Sequence, residues 1–173
     1  MKLAAALTLA AALVAAPAFA ADTAFSLRVG EHDNYERVGA SVRFAPLWSR
    51  DWSGWRLALH PEAELSRFRY TGHNPGADTL YQGGVIGMFR IVRGEGALRP
   101  YAELGLGGSL FSRDKLGGKN FSTRFQFSEH VGLGLEFANG VAAGWQYSHY
   151  SNADIELPND GIDLHQIVIG ARF

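Results

Sequence analysis

The sequence predicts an all-β chain: an eight-stranded antiparallel transmembrane β-barrel of an outer membrane. Three observations predict it. Beyond residue 20 the chain breaks into eight runs of alternating side chains, most about ten residues long. Tight glycine turns and longer polar segments alternate between those runs. A leader precedes them, and neither a cysteine nor a long apolar stretch follows it.

The leader is "MKLAAALTLAAALVAAPAFA". It opens on Lys2, continues through Ala, Leu and Val, and closes on Ala18-Phe19-Ala20. A basic start, an apolar middle and a small-x-small end read as a secretory signal. The expectation is a signal peptide over residues 1–20 and a single barrel domain over residues 21–173. The competing reading is a membrane anchor. Against it, the apolar part is short for a span of ~20 residues, and alanine is a weak driver of insertion.

Composition narrows the function classes. Without cysteine there is no disulfide framework and no thiolate metal site. A formal net charge of −1 gives no electrostatic case for nucleic acid. No later stretch of ~18 apolar residues exists to form a transmembrane helix. Aromatics at 12% and 21 glycines, with no helical run, favour β structure.

The runs follow in order. "FSLRVG" alternates from Phe25 to Gly30. "YERVGASVRF" sets Val38, Ala40, Val42 and Phe44 against Arg37, Gly39, Ser41 and Arg43. "WRLALHPEAELSRF" sets Trp55, Leu57, Leu59, Ala63 and Leu65 against Arg56, His60, Glu62, Glu64 and Ser66. "LYQGGVIGMFRIV" is apolar on both faces and resists phasing. "LRPYAELGLGGSLF" sets Leu98, Ala102, Leu104, Leu106 and Leu110 against Arg99, Tyr101, Glu103 and Ser109. "FQFSEHVGLGLEF" sets Phe125, Phe127, Val131, Leu133, Leu135 and Phe137 against Gln126, Ser128, His130 and Glu136, with Glu129 interrupting the apolar row. "VAAGWQYSHYS" and "DLHQIVIGARF" complete the set.

Connections alternate in length. "GEG" (94–96) and "ANG" (138–140) are tight turns. "YTGHNPGAD" (70–78), "SRDKLGGKN" (112–120) and "NADIELPNDG" (152–161) are longer and polar. Such alternation fits a barrel with its short turns on the periplasmic side. "PLWSRDWSGW" (46–55) is long for a turn, and its three tryptophans suit an interfacial aromatic girdle.

A soluble eight-stranded barrel is the main alternative, with its apolar face inside. The polar faces here carry Arg, Glu, Gln, His and Ser among glycines, as a narrow ion-paired interior would. On that reading His60, Glu62, Glu64, Glu103, His130 and Glu136 face the lumen with the arginines. The chain ends on Phe173, in phase with Ile167 and Ile169. A terminal Phe resembles the assembly signal of bacterial outer-membrane proteins. An unclosed sheet would leave edge amides unsatisfied in lipid.

Parity then places a candidate site. If Phe173, Ala171, Ile169 and Ile167 face lipid, so do His165 and Asp163. Val141, Ala143, Trp145 and Tyr147 share a face with His149 and Ser151. Val141–Ser151 and Asp163–Phe173 each match the 9–11 residues of a spanning strand. His149, Ser151 and Asp163 therefore fall together on the outward face, beside the 152–161 loop. A carboxylate, an imidazole and a serine are the orienter, base and nucleophile of acyl transfer. Polar residues at a strand end are also ordinary interfacial residues, and both readings stand on position alone.

"HYSNADIELPNDGID" (149–163) closely resembles the active-site segment of the lipid A 3-O-deacylases, the PagL family. "GLGLEFANG" and "RPYAELGLGGSLFS" are similar to that family as well, and the likeness extends from about residue 98 to 170. The resemblance implies an eight-stranded outer-membrane barrel that hydrolyses the ester-linked acyl chain at the 3 position of lipid A. It implies Ser151 as nucleophile, His149 as general base and Asp163 as the orienting acid. The family usually has Glu at that last position, one methylene longer. It implies Asn152 in oxyanion stabilisation and Asn159 as a second loop asparagine. Asp154 stands where the family has a glycine of the oxyanion hole, a place a backbone amide can still fill. The substrate would be lipid A or lipopolysaccharide, with outer-membrane lipid around it. No cofactor or metal is required, and a homodimer is compatible with the architecture.

Other residues have structural readings. Asn159-Asp160-Gly161 is a turn by composition. His165 reads as an interfacial residue, with substrate phosphates as the alternative. Trp145, Tyr147 and Ile167 could bed an acyl chain or simply contact lipid. Two other functions compete with an esterase. A non-enzymatic structural or adhesive barrel would leave lipid A unchanged. An acyltransferase would add mass to it and would need an internal acyl pocket.

Overall fold

The computed structural model describes residues 22–73 and 76–173. The expected leader therefore lies outside the described residues. Eight long strands build a closed antiparallel barrel: β1 (Ala24–His32), β2 (Tyr35–Arg43), β4 (Trp55–Tyr70), β5 (Thr79–Arg93), β6 (Leu98–Phe111), β9 (Phe125–Phe137), β10 (Val141–Ser151) and β11 (Ile162–Arg172). Each pairs with its neighbour, and the β1–β11 and β2–β4 pairings close the wall. Closure leaves no barrel edge with unpaired amides, the condition lipid imposes. All eight runs read from the sequence are strands, most with ends within a residue or two.

The remaining strands are short. β3 (Trp48–Trp52) folds back on the first residues of β4, pairing Trp52 with Trp55 and Trp48 with Leu59. The 46–55 segment is thus a hairpin extending the sheet, which explains why it is too long for a turn. Ser53 and Gly54 at its tip both have positive φ. β7 (Lys115–Leu116) and β8 (Lys119–Asn120) form a small hairpin within the β6–β9 connection.

Outward-facing positions are apolar and exposed: Leu65, Val85, Leu106, Leu110 and Ile167 each expose more than half their surface. A continuous belt of such residues around the wall marks a membrane-facing surface. The barrel is accordingly a transmembrane one, of outer-membrane type.

The interior divides into two zones. Toward the rim where the chain termini and tight turns lie, charge dominates. Arg28 bonds Glu62 and, at 3.4 Å, Glu64. Arg37 reaches Glu64 at 2.9 Å. Arg43 reaches Glu62 and Glu103, both at 3.0 Å. Arg90 bonds Glu103 at 2.8 Å and Glu136 at 3.0 Å. Charges this deeply buried are tolerable only when paired in this way. His130 is also inside, with Nδ1 2.7 Å from Ser148 Oγ. These are the lumenal residues that the alternation assigns.

Toward the opposite rim the interior is apolar. Tyr35, Phe68, Leu80, Phe111, Leu116, Phe121, Tyr150, Ile162 and Leu164 form one cluster. Phe68 and Tyr150 meet edge-to-face at 5.5 Å, and Phe111 and Phe121 at 5.3 Å. Leu116 and Phe121 come from the 112–124 connection, so this loop folds inward and plugs the outer end. The plug also accounts in part for the unphased run of β5. Leu80 enters the plug, and Ile86 and Met88 point inward over Gly105. A Cβ on Gly105 would lie 2.9 Å from Met88 Cε, so this glycine makes room for them. Strand β5 resists phasing because Leu80, Ile86 and Met88 put carbon on its inner face while its outer face meets lipid, with Gln82 and Arg90 the polar inward residues.

Candidate active site

The plug fixes which way the last hairpin faces. Tyr150 on β10 and Ile162 on β11 are directly paired, and both are buried inside. The Tyr150 hydroxyl donates to Glu64 Oε1 at 3.0 Å. With side chains alternating, their neighbours His149, Ser151 and Asp163 turn outward. His149 is paired with Asp163 on one side and with Glu129 of β9 on the other. Glu129, the residue that breaks an apolar row in the sequence, therefore sits beside the imidazole. Ser151 is paired with Phe127.

His149 Nδ1 lies 2.7 Å from Asp163 Oδ1. The aspartate, one methylene shorter than a glutamate, spans the gap because the two residues are directly opposite. Each side chain keeps about a third of its surface exposed, 32% and 39%. With Nδ1 turned to the acid, the imidazole's other nitrogen is left for a substrate or a nucleophile. Asp163 Oδ1 accepts a second bond, 2.5 Å, from the Tyr147 hydroxyl. Sequence reasoning missed this role for Tyr147. The available signal was its place two residues before His149 on the same face.

Gly161 underlies the site. Its φ is +55°, a left-handed backbone that glycine adopts freely, although residues 158–161 are irregular where the sequence suggested an Asn-Asp-Gly turn. A Cβ there would lie 3.2 Å from His149 Cε1 and 3.7 Å from Ser151 Cβ. That places the imidazole edge and the serine around one small residue. The serine hydroxyl and the imidazole share no hydrogen bond among the described residues. In unliganded enzymes such bonds are often long, and they tighten in the substrate complex.

The 152–161 loop is braced by its asparagines. Asn152 is fully buried; its Nδ2 donates to the carbonyls of Phe121 and Glu156 at 2.8 and 2.7 Å. Its backbone N–H donates to Asn159 Oδ1 at 3.0 Å. Asn159 Nδ2 donates in turn to Asp154 Oδ1 at 3.1 Å. Asn152 thus donates its side-chain amide both to its own loop and to the 112–124 connection, whereas the resemblance implied oxyanion stabilisation for it. Asp154 has its carboxylate drawn onto Asn159. Ala153 and Asp154 both have positive φ, 52° and 59°, and their backbone N–H groups make no hydrogen bond among the described residues. Both belong to the loop that leaves β10 directly after Ser151.

The surroundings are aromatic. His165 stacks on Trp145 at 5.7 Å and contacts Tyr147 at 5.5 Å and His32 at 5.6 Å. Phe125 and Phe127 meet edge-to-face at 5.1 Å on the serine's other side. An interior cavity of ≈ 440 Å³ lies at the opposite end, among Arg43, Arg90, Arg99, Tyr101 and Glu103. None of the outward trio lines it, so the candidate chemistry belongs to the barrel's outer surface.

Comparison with known proteins gives the family. The family model described as lipid A 3-O-deacylase (PagL) matches residues 36–172. A lipid A deacylase PagL of Bordetella bronchiseptica is 38% identical over 151 residues, 86% of this chain and 82% of that protein. One of Pseudomonas aeruginosa is 30% identical over 139 residues, 75% of this chain and 76% of that protein. A crystal structure described as that of the outer membrane enzyme PagL superimposes with a TM-score of 0.73. It has 25% sequence identity over 87% of this chain and 99% of that one.

Proposed function

The chain belongs to the lipid A 3-O-deacylase (PagL) family, and from that premise we propose that it is an outer-membrane esterase acting on lipid A. It hydrolyses the ester at the 3 position and releases a 3-hydroxy fatty acid. Ser151 is the nucleophile, His149 the general base and Asp163 the orienting acid.

The observation that carries the reading is the 2.7 Å His149–Asp163 contact on the outward face, with Ser151 one step along the same row. His149 takes the Ser151 proton as Oγ attacks the ester carbonyl. The tetrahedral oxyanion forms beside the backbone amides of Ala153 and Asp154; one such donor is worth about 3–4 kcal/mol in the transition state. The C–O bond to the sugar then breaks, and His149 protonates the departing alkoxide. Water, deprotonated by His149, attacks the acyl-serine and frees the acid. Asp163 holds the imidazole in the tautomer with its proton on Nδ1.

The substrate suits an outward site. Lipid A lies in the leaflet that surrounds the outer rim, and its esters reach the wall laterally. Trp145, Tyr147 and Ile167 lie along the face where an acyl chain would run. All the named groups come from one chain, so a single copy suffices for the chemistry, and a homodimer would change only packing in the membrane.

The test is a lipid A mass spectrum from cells making the protein. Wild type removes one 3-hydroxyacyl group, and fragmentation assigns the loss to the 3 position. Ser151→Ala leaves lipid A intact. Deacylation undiminished in that variant would reject the nucleophile, and loss from another position would reject the regiochemistry.

A further inference from the structure

We propose that Tyr147 is a positioning residue of this esterase: its hydroxyl holds the Asp163 carboxylate against the His149 imidazole. The inference rests on the Ser151–His149–Asp163 reading above and adds a fourth side chain to it.

Three observations carry it. Tyr147 donates to Asp163 Oδ1 at 2.5 Å, the same oxygen that faces His149 Nδ1. Register makes the contact diagonal, since Tyr147 is paired with His165 and His149 with Asp163. Diagonal neighbours on one face are ~7–8 Å apart, within reach of a phenol but not of a short side chain. The phenol is itself held, 5.5 Å from the His165 ring, which stacks on Trp145.

The need for such a tether follows from the acid. The terminal torsion of an aspartate is broad, so a carboxylate with one partner turns easily. This one is 39% exposed, and water competes for it. A second donor on the same oxygen narrows the rotation and keeps that oxygen on Nδ1. A tyrosine in an interfacial girdle needs some partner for its hydroxyl, but water or headgroups would serve. Here the hydroxyl spends its proton on a carboxylate, a charge-assisted bond of the stronger kind.

Tyr147→Phe tests the inference in the full-length barrel, with folded protein normalised by heat-modifiable electrophoretic mobility. Removing the hydroxyl lowers kcat by roughly ten- to hundredfold, the size of one charge-assisted hydrogen bond, and leaves KM unchanged. The same change made in Asp163→Ala, which has no acceptor for the hydroxyl, followed under single turnover, costs almost nothing further, because the tether's target is gone. Three results overturn the inference: unchanged kcat in Tyr147→Phe, a rise in KM alone, or an equal loss in both backgrounds. An Asp163→Asn variant with wild-type turnover would defeat the triad as well. An impaired Asp163→Asn beside a fully active Tyr147→Phe would defeat only the tether.

Discussion

His149 and Asp163 occupy directly paired positions on the last two strands, and the imidazole Nδ1 sits 2.7 Å from the carboxylate. Asparagine fits the same space but can present an amide to Nδ1 and select the other tautomer. Asp163→Asn is therefore expected to lower kcat by roughly 10²–10⁴-fold with the barrel intact. Steady-state release of fatty acid from purified lipopolysaccharide measures it. Activity within threefold of wild type would remove Asp163 from the mechanism.

Gly161 supplies both a left-handed backbone and empty space. Gly161→Ala places a methyl group 3.2 Å from His149 Cε1 at a φ of +55°. The backbone term costs about 1–2 kcal/mol. The expected result is a fall in turnover larger than the fall in stability, because the imidazole must give way. Chemical denaturation in detergent and the deacylation assay, run on the same preparation, separate the two.

The wall carries a second serine–histidine pair, one residue out of phase. Ser148 Oγ is 2.7 Å from His130 Nδ1 and faces the sealed interior. A serine-reactive phosphonate is expected to label wild type and Ser148→Ala at Ser151, and to leave Ser151→Ala unlabelled. Peptide mapping reads the site. A label on Ser148 would mean that the interior is open and that the outward assignment is wrong.

Arg28 is buried with two carboxylates, Glu62 and Glu64. Arg28→Ala leaves both short of a partner, although Arg43 and Arg37 still reach them. Breaking one partner of a buried pair costs about 3–5 kcal/mol, less what the remaining arginines recover. The midpoint of guanidinium unfolding in micelles should fall, while activity per folded molecule stays at wild type.

Much of this architecture was legible in residue order. Alternation located all eight wall strands and assigned lipid and lumen faces correctly for residues such as Val38, Arg37, Leu104 and Glu103. It also put His149, Ser151 and Asp163 on one outward row. Four features were not legible. Strand β5 has no phase because Leu80, Ile86 and Met88 fill the interior, and alternation carries no signal when both sides want carbon. The tryptophan-rich 46–55 segment reads as a loop until the pairing of Trp52 with Trp55 is seen. The Tyr147–Asp163 bond depends on a diagonal between strands, which is fixed by register and not by spacing along the chain. The bracing role of Asn152 is hidden for a similar reason: its partner Phe121 lies 31 residues away.

The apolar plug and ion-paired lumen fill one side of a single layer of backbone, and the reactive side chains hang from the other. A catalyst built this way needs no internal chamber. Changes that improve endurance can accumulate on the concave surface without disturbing chemistry on the convex one. The hinge between those two ledgers is the Tyr150–Ile162 pair, whose inward grip sets the aim of its outward neighbours.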